Sequence, residues 1–508
     1  MRKMNKKDKK LRGPVSTLIG FIVLLCILSF ILSKIGFQGY QTVISNGVLA
    51  DSLVKVKNII SVSGIRFIAG NIVTNLKNFE PLALLVISLI GIGIVEKSGF
   101  FNILFKPLRR VKFGIIIYFT ILLALLSTVL GEYSYVFLIP FVGVMYKYLD
   151  RNPLFGIIIA YLALTLGYGT GIVLNYNDYN LGLLTQTAAR VDVDPDFVYS
   201  LTSTLYIKLV SFVGMSFLLY ATVTRFLLPK FPLKSRVEEV EFNDSKKGMF
   251  CALFVALAII LLAIYMILDI NLSGAGILLD HNSSTYIAKL FGENAPFREG
   301  IVIIISVILM ISGFIYGKIS GNIKNSNEYS LGLSKDFENV GLLFVLFFFI
   351  AELFAILEWT NIGVVVSANL ITFLSKLQFS GILLILALFI VIVLMSILIP
   401  NTETKWQIAS PIIVPLFMRA NIAPSFTQFV FQIADAVGKV FSPIFVYFIM
   451  MISFLQKYNT DEKKQITIGG ALRIMLPTIL IISLCWIIFI CLWFLVGFPI
   501  GPGTYIAL

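Results

Sequence analysis

Residues 391–415 read VIVLMSILIPNTETKWQIASPIIVP, a hydrophobic segment that is broken by Pro400 and by the polar run NTETKW. A second such break lies earlier, where residues 161–187 read YLALTLGYGTGIVLNYNDYNLGLLTQT. Backbone that is not helical survives at membrane depth only where protein or a water-filled cavity satisfies its amides. Paired interruptions in two halves of a chain are typical of the binding site of an inverted-repeat transporter. The two breaks predict two re-entrant hairpins; the alternative is two ordinary helix–loop–helix units at the surface.

The composition supports a membrane location for these segments. Of 508 residues, 58% are hydrophobic and 13% are charged, whereas a soluble chain is about 45–50% apolar and about 25% charged. At about 20 apolar residues per crossing, the hydrophobic runs predict roughly nine to eleven crossings. The net charge of +13 comes from short basic clusters beside apolar runs, which is typical of membrane topology and of contact with anionic lipids. An all-α polytopic membrane protein is predicted, and nucleic acid is not expected as a partner.

Basic residues also set the predicted topology, because cytoplasmic loops carry an excess of lysine and arginine. The chain is predicted to begin with a basic cytoplasmic N-terminus (1–14) and to end with an extracytoplasmic C-terminus (498–508). Between them lie a first transmembrane half (15–228), a cytoplasmic loop (229–247) and a second transmembrane half (248–497). The hairpin-containing regions are predicted at about 153–190 in the first half and at about 380–410 in the second. Segments 318–338 and 456–464 are predicted inside, and segments 188–200 and 269–299 outside. The stretch 114–149 is predicted as two short crossings.

Charged residues within the predicted membrane segments are the first candidates for function, since each costs at least about 2.5–3.5 kcal/mol at the membrane centre. They are Glu132, Asp178, Glu352, Glu403, Lys405, Asp435 and Lys439. Asp435 and Lys439 share a helix face, so a purely structural ion pair is an equal alternative there. Glu403 and Lys405 are compatible with a solvated pair at the membrane surface. Asp178 has no basic residue nearby in sequence, which favours a protonatable or cation-binding carboxylate.

Enzymatic chemistry is poorly supported by the sequence. The one histidine, His281, falls in a polar loop, and the four cysteines lie in apolar stretches without CxxC spacing. A membrane enzyme would need an intramembrane nucleophile beside a base, and no histidine lies in a predicted span. A channel would need a continuous polar stripe through several helices. We therefore predict no enzyme, no metal site and no cofactor, apart from a coupling Na⁺ or H⁺.

Several longer motifs carry a family resemblance. They are GEYSYVFLIP (131–140), EWTNIG (358–363), KWQIASPIIVPLFM (405–418), APSFTQFVFQIADAVGKVFSPI (423–444) and LVGFPIGPG (495–503). With these motifs in this order, the chain resembles the aminobenzoyl-glutamate transporter (AbgT) family of bacterial secondary transporters. The resemblance spans nearly the whole chain.

The resemblance implies a fold, a function and partners. It implies a homodimer in the bacterial inner membrane, with about nine transmembrane helices and two re-entrant hairpins per protomer in an inverted repeat. It also implies an ion-coupled carrier that works by an elevator or other alternating-access motion, among membrane lipids. The substrate class is a small aromatic or amino-acid-like metabolite, or an exported antimetabolite related to p-aminobenzoate or sulfonamides. A carrier adapted to a neutral or lipid-like substrate is the alternative, and a channel is less favoured.

The resemblance also assigns site residues to the two breaks and to the segment after the second one. The expected substrate-binding residues are Asn175, Asn177, Asp178, Trp406, Pro424 and Gln432, and the expected ion-coupling residues are Asp178, Ser396, Asn401 and Asp435. Among the substrate residues, Trp406 is expected to stack on a planar substrate. The alternative for this tryptophan is an ordinary anchor at the membrane interface.

Two of these positions depart from the family pattern. Gln432 stands where the resemblance expects an arginine, and arginine is the planar cation that grips a carboxylate at two points. A neutral or zwitterionic substrate is therefore expected, unless Lys405 or Lys439 supplies the positive charge. Ser396 stands where an asparagine linked with sodium binding is expected. A hydroxyl is a weaker cation ligand than an amide carbonyl. Sodium coupling is therefore less favoured, and proton coupling through Asp178 or Asp435 is more favoured.

Overall fold

The computed structural model describes residues 13–45, 47–172, 175–234, 241–292, 294–460 and 465–508. Most of the predicted basic N-terminus, through residue 12, lies outside the described residues. So do residues 235–240 of the loop predicted over 229–247, and residues 461–464 of the segment predicted inside over 456–464.

In the first half of the chain, the described residues form nine α-helices and one small sheet. These elements are α1 (Pro14–Ile35), β1 (Gln38–Ser45), β2 (Val48–Lys55), α2 (Val62–Lys77), α3 (Glu80–Ser98), α4 (Phe100–Phe105), α5 (Phe113–Ser127), α6 (Tyr133–Tyr148), α7 (Pro153–Leu166), α8 (Tyr176–Asp192) and α9 (Leu205–Thr222). Helices α5 and α6 occupy the stretch that the sequence predicts as two short crossings.

The described residues of the second half form helices and connecting loops, with one isolated bridge between Gly501 and Thr504. Its helices are α10 (Lys246–Met266), α11 (Tyr286–Phe291), α12 (Pro296–Ser320), α13 (Ser326–Ser334), α14 (Gly341–Thr360), α15 (Ile362–Lys376), α16 (Gly381–Leu398), α17 (Thr402–Arg419), α18 (Pro424–Phe441), α19 (Val446–Lys457) and α20 (Ile468–Val496). Within the described residues, nine helical spans are long and apolar enough to cross a membrane. The predicted class of helical polytopic membrane protein is confirmed.

The β1–β2 hairpin is a feature that the sequence analysis missed. The two strands pair antiparallel, with Gln38 opposite Lys55, and Thr42 Oγ1 donates to Asp51 Oδ1 at 2.7 Å. The local signal was present, because an Asn-Gly pair at residues 46–47 between β-branched residues is typical of a two-residue hairpin turn. Mixed polarity concealed this signal in a chain otherwise dominated by hydrophobic runs.

Two helix–break–helix units stand where the hairpins are predicted. The first hairpin is α7, a break that begins at Gly167 and ends at Asn175, and α8; residues 173 and 174 lie outside the described residues. The second hairpin is α16, the break 399–401 and α17. The second unit extends to Arg419, beyond the predicted boundary near residue 410. Asparagine side chains cap the helix that follows each break: Asn175 accepts from the backbone N–H of Asp178, and Asn401 from that of Thr404, both at 2.8 Å. Such caps satisfy amides that the break leaves free.

Helix α18 lies at the centre of these units. It packs against α16 and α17 of the second hairpin and against α7 and α8 of the first, while α8 also packs against α17. All of its side chains except that of Phe441 are buried. Helices such as α10 instead expose nearly all of their hydrophobic side chains, as expected for faces toward lipid or a partner. The polar residues of α18 are therefore enclosed by both hairpins.

Segments predicted on one side of the membrane meet in the structure. Lys106 pairs with Asp244, the backbone N–H of Asn243 donates to Asn322 at 3.0 Å, and Lys457 pairs with Asp336. The Asn243–Asn322 and Lys457–Asp336 contacts join segments that are all predicted inside. At a separate location, the C-terminal segment binds the start of α9, where Ile500 O accepts from two backbone N–H groups. Which end faces the cytoplasm stays a prediction.

Candidate functional site

Helix α18 carries the candidate site because it places Gln432, Asp435 and Lys439 on one face. All three side chains are at most 2% exposed. The face meets the break of the first hairpin near Gln432, and the break of the second hairpin near Asp435 and Lys439. Two polar clusters result, one around Asp178 and one around Asp435.

The Asp178 cluster joins three separate helices. Asp178 and Asn175 form a capping box at the start of α8. Oδ1 of Asp178 accepts from Gln432 Nε2 at 2.9 Å, and the same oxygen contacts Lys208 Nζ. Asp178 has no basic residue nearby in sequence, but the fold places Lys208 against it. Lys208 belongs to α9, and only the packing of α9 beside α8 brings the ammonium group to the carboxylate.

The Asp435 cluster contains the Asp435–Lys439 ion pair that the helix spacing suggests, and it adds Lys405, which the sequence analysis placed beside Glu403. Oδ1 of Asp435 accepts from Ser396 Oγ at 2.8 Å and contacts Lys405 Nζ, while Oδ2 accepts from Thr402 Oγ1 at 2.6 Å. Lys439 Nζ lies 3.4 Å from Oδ2. The interpretation of Lys405 as half of a solvated pair with Glu403 is wrong, because Lys405 is fully buried against Asp435.

Lys439 connects this cluster to a more accessible carboxylate. Its Nζ lies 2.9 Å from Glu132 Oε1, and the Glu132 side chain is 31% exposed. The same ammonium also contacts Thr402 and lies over the Tyr168 ring, 4.6 Å from its centroid. Glu132, Lys439, Asp435 and Lys405 therefore form a row of alternating charges that sums to zero. The charge on the more accessible Glu132 is therefore coupled electrostatically to the charges of the buried groups.

Trp406 is buried and holds helices together. Its Nε1 donates to Thr185 Oγ1 at 2.9 Å, Thr185 donates to Gln428 Oε1 at 2.5 Å, and the tryptophan ring lies 4.4 Å from the ring of Phe431. This chain of contacts runs from the second hairpin through the first hairpin to α18. Full burial of Trp406 does not fit an anchor at the membrane interface. Stacking of this ring on a substrate stays a prediction.

The remaining predicted residues lie around the two clusters or away from them. Pro424 begins α18, and Asn401 is the exposed cap of α17. Glu403 accepts from Asn180 at 3.3 Å, a contact between α17 and α8. Asn177 lies beside Gly131. Glu352 accepts from Asn75 at 3.2 Å between α14 and α2, and so takes no part in either cluster.

Lys208 is the important residue that the sequence analysis missed. The signal was available, because Lys208 is a single lysine inside the apolar run 201–228, and an intramembrane charge is a functional candidate by default. Thr185, Thr402 and Gln428 carry no comparable sequence signal, since threonine and glutamine occur in many helices. Among the described residues, no group of three or more His, Cys, Asp and Glu side chains is placed to hold a metal ion.

Comparison with known proteins agrees with this architecture. The profile of the AbgT putative transporter family matches residues 1–508. The p-aminobenzoyl-glutamate transport protein of Escherichia coli (strain K12) is 25% identical over 507 residues, 98% of this chain and 94% of that protein. The solved Neisseria gonorrhoeae MtrF, described among antimetabolite efflux pumps, is 26% identical with a TM-score of 0.50, over 97% of this chain and 98% of that one.

The fold comparison extends to a second transporter. The solved YdaH transporter of Alcanivorax borkumensis has a TM-score of 0.51 at 22% identity, over 97% of this chain and 100% of that one. Each likeness covers nearly the full length of both proteins, including both hairpins and the helix between the two clusters. The chain belongs to the AbgT putative transporter family.

Proposed function

We propose that this chain is a proton-coupled secondary transporter for small aromatic substrates of the p-aminobenzoyl-glutamate or antimetabolite type. The observation that carries the proposal is the pair of buried aspartates, one at each hairpin, each matched by a lysine. Buried charges at the breaks of paired hairpins are where alternating-access carriers place their substrate and coupling sites. The E. coli relative is described as a p-aminobenzoyl-glutamate transport protein and MtrF as an antimetabolite efflux pump.

Proton coupling is favoured over sodium coupling by the charges around Asp435. A sodium ion needs oxygen ligands with spare negative charge, but Asp435 already faces the ammonium groups of Lys405 and Lys439. Ser396 Oγ donates to Asp435 and accepts from Lys405 at 3.0 Å, so its oxygen is engaged as well. A proton needs no new ligand set, because it adds to a carboxylate or leaves an ammonium group in place. Glu132, partly exposed, is the proposed entry point.

The carrier mechanism is proposed to separate the two hairpins. The Asp178 cluster ties α8 to α9, and the Asp435 cluster ties α16 and α17 to α18. A change of protonation in one cluster weakens the hydrogen bonds and ion pairs that hold one hairpin, while the helices of that hairpin stay folded. This suits an elevator or other alternating-access motion. A channel is the weaker alternative, because the polar groups form two enclosed clusters. A carrier for a neutral or lipid-like substrate remains the second candidate, based on the neutral amide of Gln432.

The assembly and location form part of the same proposal. A homodimer in the bacterial inner membrane, with a cytoplasmic N-terminus and an extracytoplasmic C-terminus, is supported by the family and by hydrophobic faces such as that of α10. Light scattering of the purified protein, corrected for bound detergent, measures the mass of the assembly. A mass of one protomer would contradict the dimer.

The coupling ion is tested in proteoliposomes that contain the purified chain. A pH gradient or a sodium gradient is imposed separately, and the flux of labelled p-aminobenzoate and p-aminobenzoyl-glutamate is measured. We expect the pH gradient to drive flux and the sodium gradient, at equal pH on both sides, to have no effect. Asp435→Asn should abolish the response, whereas Glu352→Gln, a change of a buried acid outside both clusters, should keep it. Flux driven by sodium alone would contradict proton coupling.

A further inference from the structure

Lys208 and Gln432 together form a binding site for a carboxylate. Lys208 Nζ contacts Oδ1 of Asp178, and Gln432 Nε2 donates to the same oxygen at 2.9 Å. The donors come from two different helices, α9 and α18, and both side chains are nearly inaccessible. The group that they hold in this structure is a carboxylate of the protein itself. The geometry therefore already shows how these donors receive a carboxylate.

Stability alone gives little reason for this ion pair. A buried salt bridge is weak evidence for stability, because apolar side chains of similar size are often as good or better. A lysine inside a membrane segment carries a further cost of insertion. Asp178 also has a capping role, because it is the N3 residue of the capping box of α8, with Asn175 at the N-cap, and a neutral glutamine serves the N3 role as well. The charge on Lys208 is thus unexplained by the fold.

The other two buried lysines are committed elsewhere. Lys405 Nζ contacts Asp435 and lies 3.0 Å from Ser396 Oγ. Lys439 Nζ contacts Glu132, Thr402 and Asp435. Each of these two lysines therefore has several acceptors within the Asp435 cluster. Lys208 belongs to α9, outside both hairpins, and among the described residues its Nζ contacts one carboxylate oxygen, that of Asp178. Lys208 is therefore the cation that can exchange partners.

We propose that Lys208 binds the carboxylate of the substrate, with Gln432 as the second donor, and that Asp178 competes with the substrate for this place. The inference rests on the proposed transport function and names its substrate class: an aromatic monocarboxylate rather than its neutral amide. It reverses the preference for neutral substrates that Gln432 suggests when the sequence is considered alone. The lysine on α9 supplies the charge that position 432 lacks.

The test compares an acid with its neutral isostere. The dissociation constants of p-aminobenzoate and p-aminobenzamide are measured by calorimetry on the full chain in detergent, at one pH and without an ion gradient. The wild type should prefer the acid. Lys208→Gln should weaken acid binding by roughly tenfold to a hundredfold, the usual worth of a hydrogen bond to a charged group, and leave amide binding nearly unchanged. Lys208→Arg should retain the preference, as should Lys289→Gln, which removes the same charge at an exposed pair.

Substitutions of Asp178 separate competition from direct binding. If Asp178 competes for Lys208, Asp178→Asn should tighten acid binding by roughly tenfold, since it frees a charged donor. If Asp178 is itself a ligand of the substrate, the same change should weaken binding. In Lys208→Gln/Gln432→Lys the cation moves from α9 to α18, and the preference for the acid should return.

The neutral pair Asp178→Asn/Lys208→Gln keeps the test decisive if Lys208→Gln fails to fold, because it leaves no unpaired charge in the protein. This variant should lose the acid preference that Asp178→Asn shows. An acid-to-amide ratio equal to that of Asp178→Asn would overturn the role of Lys208 and leave proton-coupled transport standing. Absence of binding of either compound to the wild type would overturn both the role of Lys208 and the proposed substrate class. A sodium-driven flux in proteoliposomes would overturn the coupling ion alone.

Discussion

At the scale of single residues, the site is a set of charges that neutralise one another. Asp178 is matched by Lys208, and Asp435 is shared by Lys405 and Lys439. Removal of one partner from such a pair leaves an uncompensated charge in a medium of low polarity, which is strongly destabilising. The number of partners that each residue neutralises therefore sets the cost of its loss. Asp435 neutralises two lysines, so its replacement is expected to cost the most stability among the described residues of the two clusters.

The number of charged partners predicts that Asp435→Asn and Lys405→Met, two substitutions in the Asp435 cluster, lower stability by unequal amounts. Asp435→Asn leaves two ammonium groups facing each other and should lower the free energy of unfolding by about 3–5 kcal/mol. Lys405→Met leaves Asp435 with Lys439 and should cost clearly less. Denaturant unfolding in detergent micelles, followed by tryptophan fluorescence, measures both changes.

An exposed ion pair provides the control for this comparison. Lys106→Gln/Asp244→Asn removes a pair in which the lysine side chain is 60% exposed, and it should change stability by at most about 1 kcal/mol. Equal losses for Asp435→Asn and Lys405→Met would show that Lys439 does not depend on Asp435. In that case Glu132 alone would hold the Lys439 charge.

At the scale of secondary-structure elements, close packing between α16 and α18 positions the cluster. A Cβ atom at Gly438 would lie 2.5 Å from Cβ of Ser396 and 2.8 Å from the backbone oxygen of Val393. The two helices approach this closely because residue 438 has no side chain. Small residues at helix contacts are the usual means of close approach in membranes. The contact brings Ser396 within hydrogen-bonding distance of Asp435.

Gly438→Ala should therefore damage both stability and coupling. The added methyl group pushes α16 away from α18, at a cost of about 1–3 kcal/mol for overpacking, and it displaces Ser396 from Asp435. Gly214→Ala in α9 is the matched control, because a Cβ atom there meets nothing within 4 Å. The control should be neutral or slightly stabilising. Melting temperatures and proton-driven flux measure the two effects, and a harmless Gly438→Ala would show that α16 shifts freely.

At the scale of the whole molecule, the two hairpins meet at several points outside the clusters. Asn180 Nδ2 donates to Glu403 Oε2 at 3.3 Å across the contact of α8 with α17. The Trp406–Thr185 hydrogen bond makes a second, buried tie between the same helices. The proposed alternating access requires one of the hairpins to move against its surroundings. A covalent link between α8 and α17 tests whether they move apart.

A cross-link between positions 180 and 403 should stop transport. Cysteines are introduced at both positions in a background from which Cys26, Cys251, Cys485 and Cys491 have been removed, since all four are free thiols. A short bifunctional thiol reagent should abolish flux, and a reducible version of the reagent should allow recovery after reduction. Cysteines at 106 and 244, which are in contact outside both hairpins, serve as the control and should keep full flux. Undiminished flux with the 180–403 link would mean that the hairpins move as one body.

The amino-acid sequence by itself determined the class of the protein and the location of its two hairpins. Long hydrophobic runs, and their interruption by glycine, proline and polar residues, are local properties, and the membrane leaves a helix as nearly the only solution for such runs. Their charge within predicted membrane segments brought Asp178 and Asp435 into consideration, and the resemblance of whole motifs added Trp406 and Gln432. The β1–β2 hairpin escaped only because its Asn-Gly signal was outweighed by the surrounding hydrophobicity.

The tertiary structure alone decided which charge meets which. Asp178 and Gln432 are separated by 254 residues and Asp178 and Lys208 by 30, so no sequence window holds the three together. Spacing in sequence paired Lys405 with Glu403, whereas the helical turn of α17 and its packing against α18 turned Lys405 toward Asp435. Trp406 likewise became a tie between hairpins because Thr185 of α8 lies beside it. Electrostatic energy depends on distances across helices, and those distances exist only after the hairpins have packed around α18.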